Sequence, residues 1–194
     1  MKNLTLIIPA KNESESLPKV LEEIRDYECS IIVILESSDI ETINSTKDFN
    51  CKIVHQSEKG YGNALIEGIN RITTEYFCIF NADGSFEKND LSKMYNLIAT
   101  NDFVFASRYL KGGGSDDDNV VTFIGNKCFS FIGNLLFGLN LSDILYTFVV
   151  GKTKSAKMLG LKYHDFRICV EIPIKAKINR FLFTSTPSKE RKRI

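Results

Sequence analysis

Charge of one sign is what this sequence most plainly lacks. In 194 residues, 25 Lys and Arg stand against 24 Asp and Glu, for a formal net charge of +1. That balance gives no overall pull toward nucleic acid, which is excluded as a partner, although the closing SKERKRI is locally basic. Long apolar runs are also missing, since none reads as reaching the roughly 18 to 20 residues that a membrane span needs. A strand pattern begins after the third residue and leaves no room for a leader, so the expectation is a chain neither secreted nor spanning. The five cysteines, Cys29, Cys51, Cys78, Cys128 and Cys169, are odd in number, far apart and mostly inside apolar runs. They make neither a disulfide framework nor a zinc site, and a reducing cytosol is the expected setting. Internal repeats and low-complexity segments are absent too. What is present is 43% hydrophobic content, ample for the core of one large domain or of a domain with an appendage.

The stretch NADGS, Asn81 to Ser85, organises the rest. It follows YFCIF, Tyr76 to Phe80, whose composition suits a buried strand, and Gly84 lets the backbone turn sharply. Asp83 is thereby presented at a strand's C-terminal end, the edge where ligands collect in open α/β sheets. A hard cation joining that carboxylate to a diphosphate fits there; the plain alternative is a β-turn with Asp and Gly in their usual roles.

Earlier in the chain, LTLIIPA (Leu4 to Ala10) reads as a buried strand closed by Pro9. A helix follows, with Pro18 in its first turn and a stripe at Leu17, Val20, Leu21 and Ile24, which places Asn12 and Glu13 at the strand-to-helix switch. SIIVIL (Ser30 to Leu35) is a second strand with Glu36 just past its end, and Ser38 and Asp39 start a helix. KIVH (Lys52 to His55) is a third strand, followed by glycines and then helical spacing in SEKGYGNALIEGINRI; a P-loop's Lys-Ser/Thr ending is lacking. Asp90 to Ala99 reads as a helix and DFVFASRY as a fifth strand with Arg108 beyond its end. Alternating strands and helices over 110 residues predict a doubly wound, mainly parallel α/β sheet with helices on both faces. Pro9 to Glu13, Glu36, Lys59 to Gly62, Asn81 to Ser85 and Arg108 then face one crevice.

After residue 110 the pattern changes. KGGGSDDDN (Lys111 to Asn119) reads as a flexible acidic loop, more a solvated linker than a site. The aromatic segment that follows, with Phe129, Phe131, Leu135, Leu136 and Phe137, is either a core helix or one lying at a membrane interface. Phe166 to Asn179 is helical in pattern, with Pro173 expected to kink it outside a first turn, and FLFTS (Phe181 to Ser185) is a last strand.

With those residues in place, the chain resembles the family 2 glycosyltransferases of GT-A fold, and within them the branch of polyprenyl-phosphate mannosyl- and glucosyltransferases. LIIPAKNESESL resembles the family's opening motif, ESSDIET its aspartate-rich second motif with Glu36 standing in, EKGYGNALIEGI its glycine motif, and NADGS its DXD region with Asn81 for the first aspartate. SRYLKGG, LSD at 141–143 and VEIPIKAK at 170–177 resemble later motifs. The resemblance implies one glycosyltransferase domain over 1–194, with a nucleotide-binding half at 1–110 and an acceptor-side half at 111–194. It implies inverting transfer from a nucleotide-diphosphate sugar to a polyprenyl phosphate or to a glycan or lipid hydroxyl. By the same carry-over Pro9, Ala10, Asn12, Glu13 and Glu36 line base and ribose, and Lys59 and Gly60 support the nucleotide. Asn81 and Ala82 adjoin the diphosphate, and Asp83 holds Mg²⁺ or Mn²⁺. Arg108 stabilises the leaving charge and Asp143 sits by the acceptor as the candidate base. A cytoplasmic chain, with peripheral contact to the membrane that carries the acceptor, is the implied setting. The family's late proline and arginine are matched by Pro187 and Arg193, and its following Gly-Ser-Lys segment is missing, so nucleotide binding with poor turnover is the expectation. Two alternatives stay open: a sugar-phosphate nucleotidyltransferase, whose glycine- and arginine-bearing first loop PAKNES does not match, and a non-catalytic nucleotide-binding module.

Overall fold

The computed structural model describes residues 1–194. β-Branched and aromatic runs, each cut off by a turn signal, give β1 (Leu4–Pro9), β2 (Ser30–Leu35), β3 (Lys52–His55), β4 (Tyr76–Ile79) and β5 (Phe103–Ser107). Between them lie α1 (Leu17–Glu23), α2 (Ile40–Ser45), α3 (Tyr61–Arg71) and α4 (Lys88–Leu97), the last running on into a 3₁₀ turn, Ile98–Thr100. Asp39 caps α2 by accepting from the Thr42 N–H, as the sequence predicts.

The second half adds β6 (Gly114–Ser115), α5 (Val120–Phe137), β7 (Val149–Lys152), α6 (Thr153–Met158), α7 (Ile168–Ile178), β8 (Phe183–Pro187) and β9 (Lys189–Glu190). The main sheet has seven strands in the order β3-β2-β1-β4-β7-β5-β8, and β6 with β9 forms a two-stranded ribbon. The sheet is mixed: β7 runs antiparallel to both β4 and β5, while the other pairings are parallel. Core clusters of 22 and 21 buried residues cover its two faces about equally, which is the doubly wound arrangement.

Chain direction across the sheet locates the site. From β1 the chain steps outward to β2 and β3, then returns to the other side of β1 to lay down β4. The chain leaves β1 toward β2 and leaves β4 toward β5, so strand order reverses between them, and residues past both C-terminal ends line one cavity. Pro9 to Glu13 and Asn81 to Ser85 are the segments on its two lips.

Several expectations need correction. β7 and α6 have no counterpart in the sequence reading, because four residues of which one is glycine make too short a run to register as a strand. The acidic segment 111–119 is no free linker: Gly114 and Ser115 pair with Lys189 and Glu190, and Asn119 caps α5 in a capping box closed by Thr122. Pro173 falls sixth in the 11-residue α7, yet the helix runs through it, since Ile168, Ile172, Pro173 and Ala176 are all buried against the sheet. Packing there outweighs the lost N–H. The apolar segment 120–137 is one unbroken 18-residue helix, long and apolar enough by length and composition to cross a membrane, contrary to the expectation that no run is. It is no core helix either, for only Ser130 and Gly133 are buried.

Gly151 shows how tightly β7 is wedged between its neighbours. A Cβ there would meet the Phe77 ring at 2.5 Å and the Phe103 ring at 2.9 Å, and those two rings pack edge to face across it. Gly151→Val is expected to cost about 1–3 kcal/mol through overpacking, read as a lower melting temperature.

Candidate active site

The strand ends converge on one cavity of about 580 Å³. Pro9, Ala10 and Glu13 form one wall, and Asn81, Ala82 and Asp83 the wall across the β1–β4 crevice. Glu36, Gly60, Arg108 and Arg193 complete the set of sequence-predicted residues that line it. Asn12, Lys59 and Asp143 do not. Asn12 takes a left-handed backbone (φ 57°) and gives its N–H to Asp39 at 2.7 Å, so its backbone shapes the loop beside the cavity. Lys59 stands at the rim and pairs with Glu36 at 3.6 Å, as Lys11 does at 3.4 Å.

Glu13 is half-buried and accepts from the Ser16 hydroxyl. Burial pushes its carboxyl above the usual 4.5 against the pull down of the Ser16 hydrogen bond, and the nearby Asp83 adds a lesser rise. Asp83 itself is fixed by the turn it closes: Oδ1 accepts from the Ser85 N–H at 2.9 Å, leaving Oδ2 toward Arg193 at 3.7 Å. The donor set suits a hard divalent ion, with one carboxylate and the Asn81 amide beside it. No group of three Asp, Glu, His or Cys gathers there. A metal would accordingly be shared with a ligand's phosphates, the usual situation for Mg²⁺.

The glycine motif behaves otherwise than a phosphate cradle. Gly60 has φ 122°, and a Cβ on it or on Gly62 would lie 2.1 or 2.2 Å from the carbonyl oxygens of His164 or Tyr163. Close approach is required here by the chain's own loop 163–165, while Asn63 donates its N–H to His164 O at 3.2 Å. Glu67 on α3 ties down the preceding residues by accepting from the Ser57 N–H (2.7 Å) and the Asn63 amide (2.8 Å). Glu171, buried on α7, does the same for the covering loop, accepting from the Lys162 and Tyr163 N–H groups. That loop delivers Phe166, which stacks on Tyr61 with ring centroids 4.8 Å apart, and Tyr61 in turn donates to Thr147 at 2.9 Å. Both aromatics line the cavity and sequence reasoning missed them; the signal was Tyr61 inside the glycine motif and Glu171 in VEIPIKAK.

Arg108 is 8% exposed and forks onto Asp143, with Nε–Oδ2 2.7 Å and Nη2–Oδ1 3.0 Å. Its Nη1 reaches Glu190 at 3.0 Å, and the Asp118 carboxylate lies 3.7 Å away. Its guanidinium lies 4.7 Å from the centroid of the Tyr146 ring. Burial works against the charge, but the Asp143 hydrogen bonds overcome it and hold the guanidinium above its usual pKa. Asp143 therefore lies behind Arg108, fully buried on a cation, and not beside the cavity as a free base. Removing it would take the fork from a buried guanidinium and leave Glu190 as its one close partner, so Asp143→Ala is expected to cost about 3 kcal/mol, a fall in melting temperature on the order of 10 °C. Unchanged thermal stability would show that the pair holds nothing together.

Comparisons with known proteins place the chain among glycosyltransferases. An uncharacterized glycosyltransferase of Mycobacterium tuberculosis is 33% identical over 91 residues, 47% of this chain and 41% of that protein. The undecaprenyl-phosphate mannosyltransferase of Micrococcus luteus is 31% identical over 160 residues, 74% of this chain and 63% of that enzyme. The chain thus spans less than two thirds of the length of either relative. Among solved structures, glucosyl-3-phosphoglycerate synthase from Mycobacterium tuberculosis, in complex with Mn²⁺, uridine diphosphate and glucosyl-3-phosphoglycerate, superposes with a TM-score of 0.74. That likeness covers 98% of this chain and 71% of the other at 11% identity, and so concerns the fold. Residues 5–160 match Glycosyl transferase family 2, and with its mixed GT-A-like α/β sheet the chain belongs to that family.

Proposed function

We propose that the chain carries out inverting transfer of a sugar from a nucleotide-diphosphate sugar to a phosphate-bearing acceptor. The observation that carries this is the convergence on one cavity of Asp83, Asn81 and the β1 loop at the point where strand order reverses. Pro9, Ala10, Glu13 and Glu36 receive the base and ribose, with Tyr61 and Phe166 as an aromatic wall further along. Asp83, assisted by the Asn81 carbonyl, holds Mg²⁺ or Mn²⁺, which supplies positive charge to the departing diphosphate. In the reaction the bond from the anomeric carbon to the diphosphate oxygen breaks while an acceptor oxygen bonds to the opposite face of the sugar. The nucleoside diphosphate leaves with the bonding pair.

The acceptor follows from what surrounds Arg108. A hydroxyl acceptor needs a base, and Asp143 is consumed by Arg108. A phosphate oxygen arrives already ionised and needs none. Of the two relatives, the Micrococcus enzyme is named for a phosphate acceptor, undecaprenyl phosphate, whereas the mycobacterial synthase is named for a phosphoglycerate that carries hydroxyl groups beside its phosphate. The lipid is favoured here by α5, which meets the cavity at Asn126 and exposes Phe129, Phe131, Leu135 and Leu136 by 57–72%. Both ends of α5 return to the same folded body, through β6 and through Leu139 to β7, so the helix lies along a membrane surface and does not cross it.

Two measurements test this. Incubation with labelled GDP-mannose, UDP-glucose and UDP-N-acetylhexosamines, with polyprenyl phosphate in vesicles or with 3-phosphoglycerate, should place label on the lipid. Asp83→Ala should lower that rate by about 10²-fold or more while the protein stays folded; wild-type turnover by the variant would remove the ion-ligand role. Flotation with acceptor-bearing liposomes should be lost in Phe129→Ser with Leu136→Ser at unchanged melting temperature. A variant that unfolds while the remaining folded protein still floats would assign α5 to packing instead.

A further inference from the structure

The C-terminal residues form a strap across the turn that bears Asp83. Arg191 N–H donates to Ser85 O at 2.8 Å and Ile194 N–H to Asp83 O at 3.0 Å, and the Ile194 side chain lies over Gly84. Upstream the strap is fastened firmly. Glu190 holds Arg108, and Arg191 forks onto Glu23 at 2.6 and 2.8 Å while also donating to Phe86 O. Arg193 is different. Its side chain is two-thirds exposed (66%), and its Nε stands 3.2 Å from Asp117 and 3.7 Å from Asp83, with Glu13 close enough to feel the charge.

Resting on the reading of Asp83 as the ion ligand, we infer that Arg193 is a stand-in cation. It neutralises the Asp83 carboxylate while no divalent ion is bound and yields that carboxylate when the ion enters with its diphosphate. Two positive groups cannot share one carboxylate oxygen without repulsion, so Arg193 must withdraw from Asp83 for the ion to bind. The strap allows it to do so locally, because Glu190 and Arg191 keep their own partners while Arg193 moves. Asp117 offers the guanidinium an alternative anchor at the shorter of its two distances. Bare metal therefore competes with Arg193, and the free protein keeps a low affinity for it. Metal accompanied by a diphosphate does not suffer that competition to the same degree, since the phosphate oxygens offer the displaced guanidinium a bidentate partner.

The inference is tested without turnover by titrating Mn²⁺ into the protein and reading the free ion by its electron paramagnetic resonance signal, with and without UDP. Without nucleotide, Arg193→Ala is expected to bind Mn²⁺ about two- to fivefold more tightly than the wild type, the scale of one exposed ion pair. With UDP present the same variant should lose affinity for the nucleotide. Arg193→Lys, which keeps a cation on a flexible stem, should return bare Mn²⁺ affinity toward the wild-type value. Lys2→Ala, which removes a charge beyond the opposite end of β1, should leave it unchanged. Equal or weaker bare Mn²⁺ binding by Arg193→Ala, while Asp83→Ala abolishes binding, overturns the stand-in role alone. Undiminished binding by Asp83→Ala overturns the ion-ligand reading and this inference with it.

Discussion

The second half of this molecule depends on one buried cation. Arg108 leaves the end of β5 and is gripped by Asp143 from the segment before β7, Glu190 from the C-terminal ribbon and Asp118 from the loop before α5. Three stretches are thus fixed to one guanidinium carried by a fourth. Each carboxylate alone would be a buried anion of high cost; together with the cation they form a set whose members cannot be removed singly. The planar fork matters, because it satisfies Asp143 through two nitrogens while Nη1 remains for Glu190. Lysine, a point charge without that fork, could not bring the same segments to the same place.

That constraint explains which parts of the fold were legible in the sequence. β1 to β5 announce themselves locally, as β-branched or aromatic runs with a turn residue at each end, and their bounds fall within a residue or two of the sequence reading. The second half is held by pairings across long distances. β7 is a strand because β4 and β5 leave a slot between them and Gly151 lets it enter, not because VVGK carries a strand pattern of its own. The ribbon of β6 and β9 is two residues deep, and nothing in KGGGS or SKE signals it apart from the partner. α7 runs through Pro173 because its buried face decides the matter.

The site divides in the same way. Pro9, Ala10, Glu13, Asn81 and Asp83 were readable since each stands at the end of a strand that was itself readable, and sheet topology then places them together. Asp143 is expected beside the acceptor and instead lies behind Arg108, because its distance from Arg108 in sequence hides the fork between them. The glycines at 60 and 62 were right as marks of close approach and silent about what approaches, which proves to be the loop carrying Phe166. Tyr61 and Phe166 stack only once Glu171 has folded that loop back, a relation of three segments that no single motif contains.

The charge balance inside the cavity brings these strands of argument to one point. Its lining holds three cations, Lys11, Arg108 and Arg193, and four carboxylates, Glu13, Glu36, Asp83 and Glu190, a formal balance of 3 − 4 = −1. Moreover, each cation is already engaged: Lys11 by Glu36, Arg108 by Asp143 and Glu190, Arg193 by Asp83 and Asp117. A nucleoside diphosphate entering alone would meet a wall with no spare positive charge, and at the few ångströms that separate these groups the repulsion is not screened by salt. On the proposed reading, a divalent ion held by Asp83 would reverse that balance and draw a phosphate to it. On the same proposed reading, neutralisation from within the chain would hold the site until an ion and its diphosphate enter together.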